Sequence, residues 1–380
     1  GAIMSRRLRR GRIVRNPVRA KKPVAKKPLV KPRAKNIDYI DPNVYFDKIY
    51  CLNLKRRPDR WAESENTFRY SGIHADRFDA TDGQTNSVQS KYKELLKQTN
   101  KYDKLLGRKA IASEGALGCL LSVVRIIKDA KKNGFKRILL LDDDVIISKD
   151  FHINFSNVNL LPKDWKLLYL GASQHTWLKI KSFNNDFYFA KNTSGTFAVG
   201  IDSSVYDEII KSAEKLEVPI DACLINNIQT KYYKKCFVFK DNLIIAKLDD
   251  SDIRGGRSPE ALSEKFKWNL NNYILAKKMP ENLALGITTY NRIDYLKKII
   301  STFYRTKNPF FKWTLIIADD GSTDGSVEYI KSLRLPGVKV VKIYSDRIGV
   351  HVQTNKIFNA MLKSDADFFF KADDAGTLSI

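Results

Sequence analysis

The stretch Arg137-Ile-Leu-Leu-Leu-Asp-Asp-Asp-Val-Ile-Ile-Ser148 constrains this chain more than any other. Ile138 to Leu141 run without a polar interruption, which suits a strand buried on both faces of a parallel sheet. Three carboxylates follow at once. They repel one another, and strand formation does not ask for them. Open α/β sheets bind ligands in the crevice beyond the C-terminal ends of their strands. Hard cations take carboxylate oxygens and leave positions for an anionic ligand. Alternation along a strand puts Asp142 and Asp144 on one side and Asp143 on the other, so the outer pair is set to share one ion. A solvated acidic turn is the ordinary alternative, but the buried run before it favours metal.

At 380 residues the chain has the length for two domains. With 43% hydrophobic and 29% charged residues it has a globular composition. No stretch approaches the roughly 20 apolar residues of a membrane span. No signal-peptide core follows the start, which predicts a soluble, cytoplasmic protein. Cys51, Cys119, Cys223 and Cys236 lack metal-ligand spacing and read as buried thiols in a reducing compartment. Gly1-Ala-Ile ahead of Met4 reads as an expression remnant. The net charge of +25 is uneven, because residues 1–36 hold 14 of the 67 Lys and Arg and no acid. This basic segment is too poor in apolar surface to fold alone and reads as a disordered tail. It suits a polyanionic partner and serves equally as a solubilising tether.

Strands alternating with helices predict a first α/β unit over residues 44–257 with a largely parallel sheet. Phe46 to Leu54 is its first strand and ends in Lys55-Arg-Arg-Pro-Asp-Arg60, basic groups placed either for phosphates or for solvent. Ser113 to Lys128 carries a helical stripe of Leu117, Leu120, Leu121, Val124 and Ile127. Asp221 stands alone at a helix head after Pro219, where an acid is ordinarily a cap. Asp249 to Arg257 is a polar, glycine-containing loop of the kind that wraps phosphates. Residues 258–280 read as a linker helix that buries Leu262, Phe266, Leu270 and Ile274. A second α/β unit occupies residues 283–380, with acids again closing its strands at Asp319-Asp320 and Asp373-Asp374.

Tyr50-Cys-Leu-Asn-Leu-Lys-Arg-Arg-Pro-Asp-Arg60, Ala80-Thr-Asp-Gly83, Gly115-Ala-Leu-Gly-Cys-Leu-Leu-Ser122 and Leu141-Asp-Asp-Asp-Val145 occur in an order that resembles the family 25 glycosyltransferases. Tyr169-Leu-Gly171, Gly195-Thr-Phe197 and Pro219-Ile-Asp221 continue it. That family includes lipopolysaccharide and collagen galactosyltransferases. Ala116 and Val123 stand where its pattern usually has Glu and often has His. Thr288-Thr-Tyr-Asn-Arg292, Asp319-Asp-Gly-Ser-Thr-Asp324, Gly349 with Asn355, and Ala372-Asp-Asp374 resemble the N-terminal, nucleotide-holding half of a family 2 glycosyltransferase, with Lys371 in place of the common Asp.

The resemblance implies an α/β fold of GT-A type, with a Rossmann-like, mostly parallel sheet followed by a second, incomplete unit of that type. It also implies a UDP-sugar donor, with Mn²⁺ or Mg²⁺ held by Asp142 and Asp144. The expected reaction is inverting transfer of a hexose to a glycan or protein hydroxyl, hydroxylysine-type included. Asp221 is the candidate base, and Asp252 the reserve. Asn53, Arg57, Arg60, Asp82, Gly83, Asp143, Arg254 and Arg257 are the expected donor-binding residues, with Asp319 and Asp320 in the second unit. Without an acceptor-binding half, that unit is expected to bind a donor weakly and not to transfer. Its apolar face is expected to be covered by the linker helix or by a second copy of the chain, as in a homodimer. Two other classes remain open. A nucleotidyltransferase also uses acidic strand ends, although the turn after the first strand here has no glycine. A non-catalytic nucleotide-sugar or polyanion-binding protein would show salt-dependent binding and no turnover.

Overall fold

The computed structural model of the protein describes residues 38–247, 259–273, 282–309 and 311–373. In the first unit the strands are β1 (Lys48–Asn53), β2 (Asp76–Asp79), β3 (Arg137–Asp142), β4 (Val145–Ile147), β5 (Leu167–Tyr169), β6 (Phe187–Phe189), β7 (Ala198–Asp202), β8 (Cys236–Phe239) and β9 (Ile244–Ala246). Seven of them form one sheet in the order β2-β1-β3-β7-β5-β8-β6, while β4 and β9 make a separate antiparallel pair. The pairs β1–β2, β1–β3 and β5–β8 are parallel. β7 runs against both β3 and β5, and β6 runs against β8. The sheet of this unit is therefore mixed, and the fully parallel one lies in the second unit.

Ile138, Leu139, Leu140 and Leu141 are each 0% exposed, as the uninterrupted run predicts. Ile138 and Leu140 pack with Leu117, Leu120, Val124 and Ile127 of the helix Glu114–Lys132 on one face. Leu139 and Leu141 pack with Phe151, Phe155 and Trp165 on the other. At about 1.5–3 kcal/mol for each fully buried aliphatic side chain, this strand anchors both halves of the core. The acids at its end are held where the sheet holds it.

Ser113 caps the helix Glu114–Lys132 by accepting from Ala116 N. Its first turn presses on the Ala80–Gly83 turn, and two glycines permit the approach. A Cβ on Gly118 would lie 2.6 Å from Thr81 O, and one on Gly83 would lie 2.7 Å from Glu114 O.

The linker departs from the continuous helix expected. The helix Pro259–Phe266 stops as Lys267 adopts a left-handed backbone (φ 58°). Trp268 N then donates to Ser263 O, and a short 3-10 turn, Leu270–Asn272, follows. Leu270 is consequently 42% exposed, while Trp268 and Tyr273 join Phe266 in the core of the first unit. Asn242 binds both newcomers. Its Oδ1 accepts from Trp268 Nε1 at 2.8 Å, and its carbonyl accepts from the Tyr273 hydroxyl at 2.6 Å. Ile274 lies outside the described residues.

The second unit contains β10 (Asn282–Thr289), β11 (Lys312–Asp319), β12 (Val338–Tyr344) and β13 (Phe368–Asp373), all parallel in the order β12-β11-β10-β13. Phe368, at 57% exposed, and Leu362, at 75%, are apolar side chains left uncovered in this unit. Of the two covers expected for the second unit, the linker helix and a second copy of the chain, the helix instead packs Leu262 and Phe266 against the first unit's core. Asn308 Nδ2 donates to Tyr70 O at 2.9 Å, at the end of the helix Pro58–Ser71. Among the described residues no helix is long and apolar enough to cross a membrane. All four cysteines are free thiols, and three are buried.

Candidate active site

β1, β2, β3, β5 and β8 point the same way, so Asn53, the Ala80–Gly83 turn and Asp142–Asp144 meet at one edge of the sheet. β7 runs oppositely and begins there, which brings Gly195 and Thr196 to the same edge. The site grows from this convergence.

Asn53 is buried, and its amide is used inside the protein. Nδ2 donates to Arg57 O at 3.0 Å and to Asp143 Oδ2 at 2.7 Å, while Oδ1 accepts from Arg77 Nε at 2.8 Å. The helix Pro58–Ser71 seats the acidic turn through two side chains one turn apart. Ser64 Oγ donates to Asp143 O at 2.6 Å. Arg60 places Nη1 3.5 Å from Asp143 Oδ1 and Nη2 3.6 Å from Asp144 Oδ2. On the far side Lys247 N donates to Asp144 O at 2.7 Å.

Asp142 is held well above the ordinary carboxylate range, first by burial and then by the charges of Asp144, Asp143 and Asp221, with Arg60 opposing. Asp221 enters from the helix Ile220–Cys223. Burial raises its pKa, while Gly195 and Thr196 face the carboxylate and favour the charged form. Its Oδ1 is shut off from solvent and has no hydrogen-bond partner. Burial, followed by the fields of Asp142 and Asp221, pushes the Cys119 thiol up to about 12, so it is no nucleophile at neutral pH. Below these groups, Gln229 Nε2 donates to the Tyr169 hydroxyl at 2.9 Å and to Thr193 O at 2.8 Å, which fixes the chain leading into Gly195.

The structure thus gathers Asn53, Arg60, Asp142, Asp143, Asp144 and Asp221. Arg57 and Asp82 are engaged locally. Arg57 Nη2 pairs with Asp59 at 2.8 Å, and Arg56 Nε pairs with Asp82 at 2.8 Å. The Gln84 N–H and the Arg56 charge keep Asp82 low. Gly83 serves packing. Asp252, Arg254, Arg257 and Asp374 lie outside the described residues, and Asp373 is described by its backbone alone. Ser64, Thr196, Gln229 and Cys119 are not among the expected site residues. Thr196 and Cys119 fall inside stretches that carry the family resemblance, whereas Ser64 and Gln229 take their roles from distant partners that no local pattern announces.

In the second unit Asp320 acts as an internal cap. Its Oδ1 accepts from Ile348 N at 2.7 Å and its Oδ2 from Gly349 N at 3.1 Å. Burial works to raise this carboxyl, but these donors and Gln353 outweigh it and the pKa is lowered. Asp319 Oδ1 accepts from Gly321 N and Ser322 N, whereas its buried Oδ2 has no partner.

Residues 46–224 match the family described as "Glycosyltransferase family 25 (LPS biosynthesis protein)". The first unit is a family 25 glycosyltransferase domain. Residues 285–375 match "Glycosyl transferase family 2", so the chain joins two glycosyltransferase domains. A "Glycosyltransferase 25 family member" of Drosophila melanogaster is 32% identical over 109 residues, which are 29% of this chain and 18% of that protein. Human "Procollagen galactosyltransferase 2" is 28% identical over 134 residues, 34% of this chain and 21% of that protein. Mouse "Inactive glycosyltransferase 25 family member 3" is 29% identical over 134 residues, 34% of this chain and 22% of that protein. The chain spans about a fifth of the length of these relatives. Glycosyltransferase GlyE of Streptococcus pneumoniae TIGR4 aligns at a TM-score of 0.30 and 11% identity, over 86% of this chain and 85% of that one. TarS 1–349 of S. aureus aligns at 0.21 and 18% over 24% and 27%. At these scores neither adds to the fold described above.

Among the described residues no group of three or more His, Cys, Asp or Glu side chains is arranged to hold a metal ion by itself. Asp142, Asp143, Asp144 and Asp221 nevertheless crowd four carboxylates together, with the Arg60 guanidinium facing two of them. A donor set so short of positive charge fits a dication bound through one or two carboxylates, with phosphate oxygens and water as its other ligands.

Proposed function

We propose that the family 25 domain is a metal-dependent, inverting glycosyltransferase. It moves a hexose of Gal, Glc or GlcNAc type from a UDP-sugar to a hydroxyl of a glycan or protein. The observation that carries this reading is the convergence of Asp142, Asp144 and Asp221 at the C-terminal edge of β3. Asp142 and Asp144 would hold Mn²⁺ or Mg²⁺, and Asn53 and Ser64 hold Asp143 and the turn behind them. When bound, the ion offsets the negative charge that develops on the diphosphate leaving group. Asp221 accepts the proton of the attacking hydroxyl, and burial makes it a stronger base than a solvated aspartate.

The test is a panel of UDP-sugars with Mn²⁺ or Mg²⁺, read as UDP release with and without chelator. Chelator-sensitive release from one donor is expected, and absence of release from every donor overturns the reading. A second reading is favoured by the relatives whose names call them inactive. It is a domain that binds UDP without turnover, and the same panel run beside UDP calorimetry separates the two.

A further inference from the structure

The helix Pro58–Ser71 carries Arg60 in its first turn, and its guanidinium spans two successive carboxylates of the acidic turn. Both contacts are long for an ion pair, 3.5 Å to Asp143 and 3.6 Å to Asp144, and neither has the short parallel geometry of a bidentate arginine clamp. Asp143 is already held by Asn53 Nδ2 at 2.7 Å and by Ser64 through its carbonyl. The turn keeps its shape without Arg60. What Arg60 supplies is charge, since its guanidinium opposes the raised Asp142 and faces Asp143 and Asp144. Lys247, whose backbone holds Asp144 O, directs its ammonium to Glu63 at 3.0 Å.

A loosely seated guanidinium costs little to move, and one that faces Asp144 competes with any dication for that carboxylate. The two cations repel until an anion arrives to accept the arginine. A diphosphate is such an anion, because its oxygens match the fork of a guanidinium better than one carboxylate oxygen at 3.6 Å.

We propose that Arg60 is the resident counter-ion of the acidic turn, released from Asp144 when a metal-bound diphosphate enters and passed to the phosphate oxygens. The proposal rests on the reading above, in which Asp142 and Asp144 take the ion. Its consequence is synergy. Metal alone binds weakly because Arg60 opposes it, UDP alone binds weakly because the carboxylates oppose it, and each relieves the penalty on the other.

The test needs no turnover. Mn²⁺ binding to the full chain is followed by electron paramagnetic resonance, and UDP binding by calorimetry, for wild type, Arg60→Met and Arg60→Lys. Arg60→Met is expected to bind Mn²⁺ alone tighter by on the order of ten-fold and to bind UDP in the presence of Mn²⁺ more weakly by a similar factor. Arg60→Lys keeps the charge without the fork, so it leaves the Mn²⁺ affinity near wild type and still loses UDP affinity. Wild type that binds Mn²⁺ and UDP, beside a folded Arg60→Met that binds Mn²⁺ no tighter, overturns this proposal and leaves the glycosyltransferase reading standing. Wild type that binds neither overturns both. Should Arg60→Met fail to fold, Arg60→Lys carries the test, and a weakened Mn²⁺ affinity there assigns Arg60 a structural role instead.

Discussion

Asn53 donates to Asp143 Oδ2 at 2.7 Å and thereby ties the end of β1 to the turn that follows β3. One amide fixes which way the middle acid of three points. Asp143 is turned toward Asn53 and Arg60. β3 ends at Asp142, so Asp143 and Asp144 are turn residues and both face Arg60, where strand alternation would have set them on opposite sides.

Asp144→Ala should remove the metal-dependent part of UDP binding and leave the fold intact, because the residue sits in a turn outside the core. Calorimetry with and without chelator measures this. UDP affinity in Asp144→Ala equal to that of wild type with metal present would show that the carboxylate holds no ion.

Asp142→Asn should melt at a higher temperature than wild type at neutral pH without divalent metal. The folded state raises this carboxyl's pKa, so it binds the proton more tightly than the unfolded chain does. Its contribution is favourable below the ordinary carboxylate range and is lost as pH rises through the folded value. The advantage of the amide should therefore shrink as pH falls toward that ordinary range. Thermal scans across a pH series check both sign and trend.

Asp221→Asn should lower kcat by roughly 10²–10⁴-fold, the usual scale of general base catalysis, with little change in donor KM. In the wild type the acid limb of the kcat profile should lie above the range of a solvated aspartate, since burial raises this group. An unchanged kcat in the variant would move the base elsewhere.

Trp268→Ala should destabilise the family 25 domain by about 3–5 kcal/mol, the usual cost of truncating a buried aromatic. It also strips Asn242 Oδ1 of one donor. Urea unfolding, with donor binding as the readout, gives the magnitude. A change under 1 kcal/mol would mean that the segment only rests on the surface.

Much of the architecture was legible because it is written in contiguous residues. Ile138 to Leu141 announced a strand buried on both faces, and Leu117, Leu120, Val124 and Ile127 announced the helix against it. Direction was not legible, since nothing within Ala198–Asp202 says that β7 runs against β3. The stripe of Leu262, Phe266, Leu270 and Ile274 misled for a specific reason. Periodicity cannot register that Lys267 turns left-handed and hands the buried position to Trp268. At the site the acids stood out by their charge, whereas Ser64 and Gln229 gain meaning only from partners far along the chain. Asp320 is expected from the family resemblance to bind a donor, and no local pattern foretells that its carboxylate accepts from Ile348 N and Gly349 N.

The course of Phe266, Trp268 and Tyr273 into the first core bears on how such a chain can be cut and joined. The family match ends at residue 224, yet β8, β9 and this returning segment complete the hydrophobic interior after it. A recombination event that spliced at the edge of the match would take β8 from the sheet, leave β6 without its neighbour, and remove Phe237, Phe239, Phe266, Trp268 and Tyr273 from the core. The junction that spares both domains lies between Tyr273 and Asn282. The heritable piece is therefore about fifty residues longer than the recognisable one, and a grafting experiment that respects the longer boundary is the one whose product should fold.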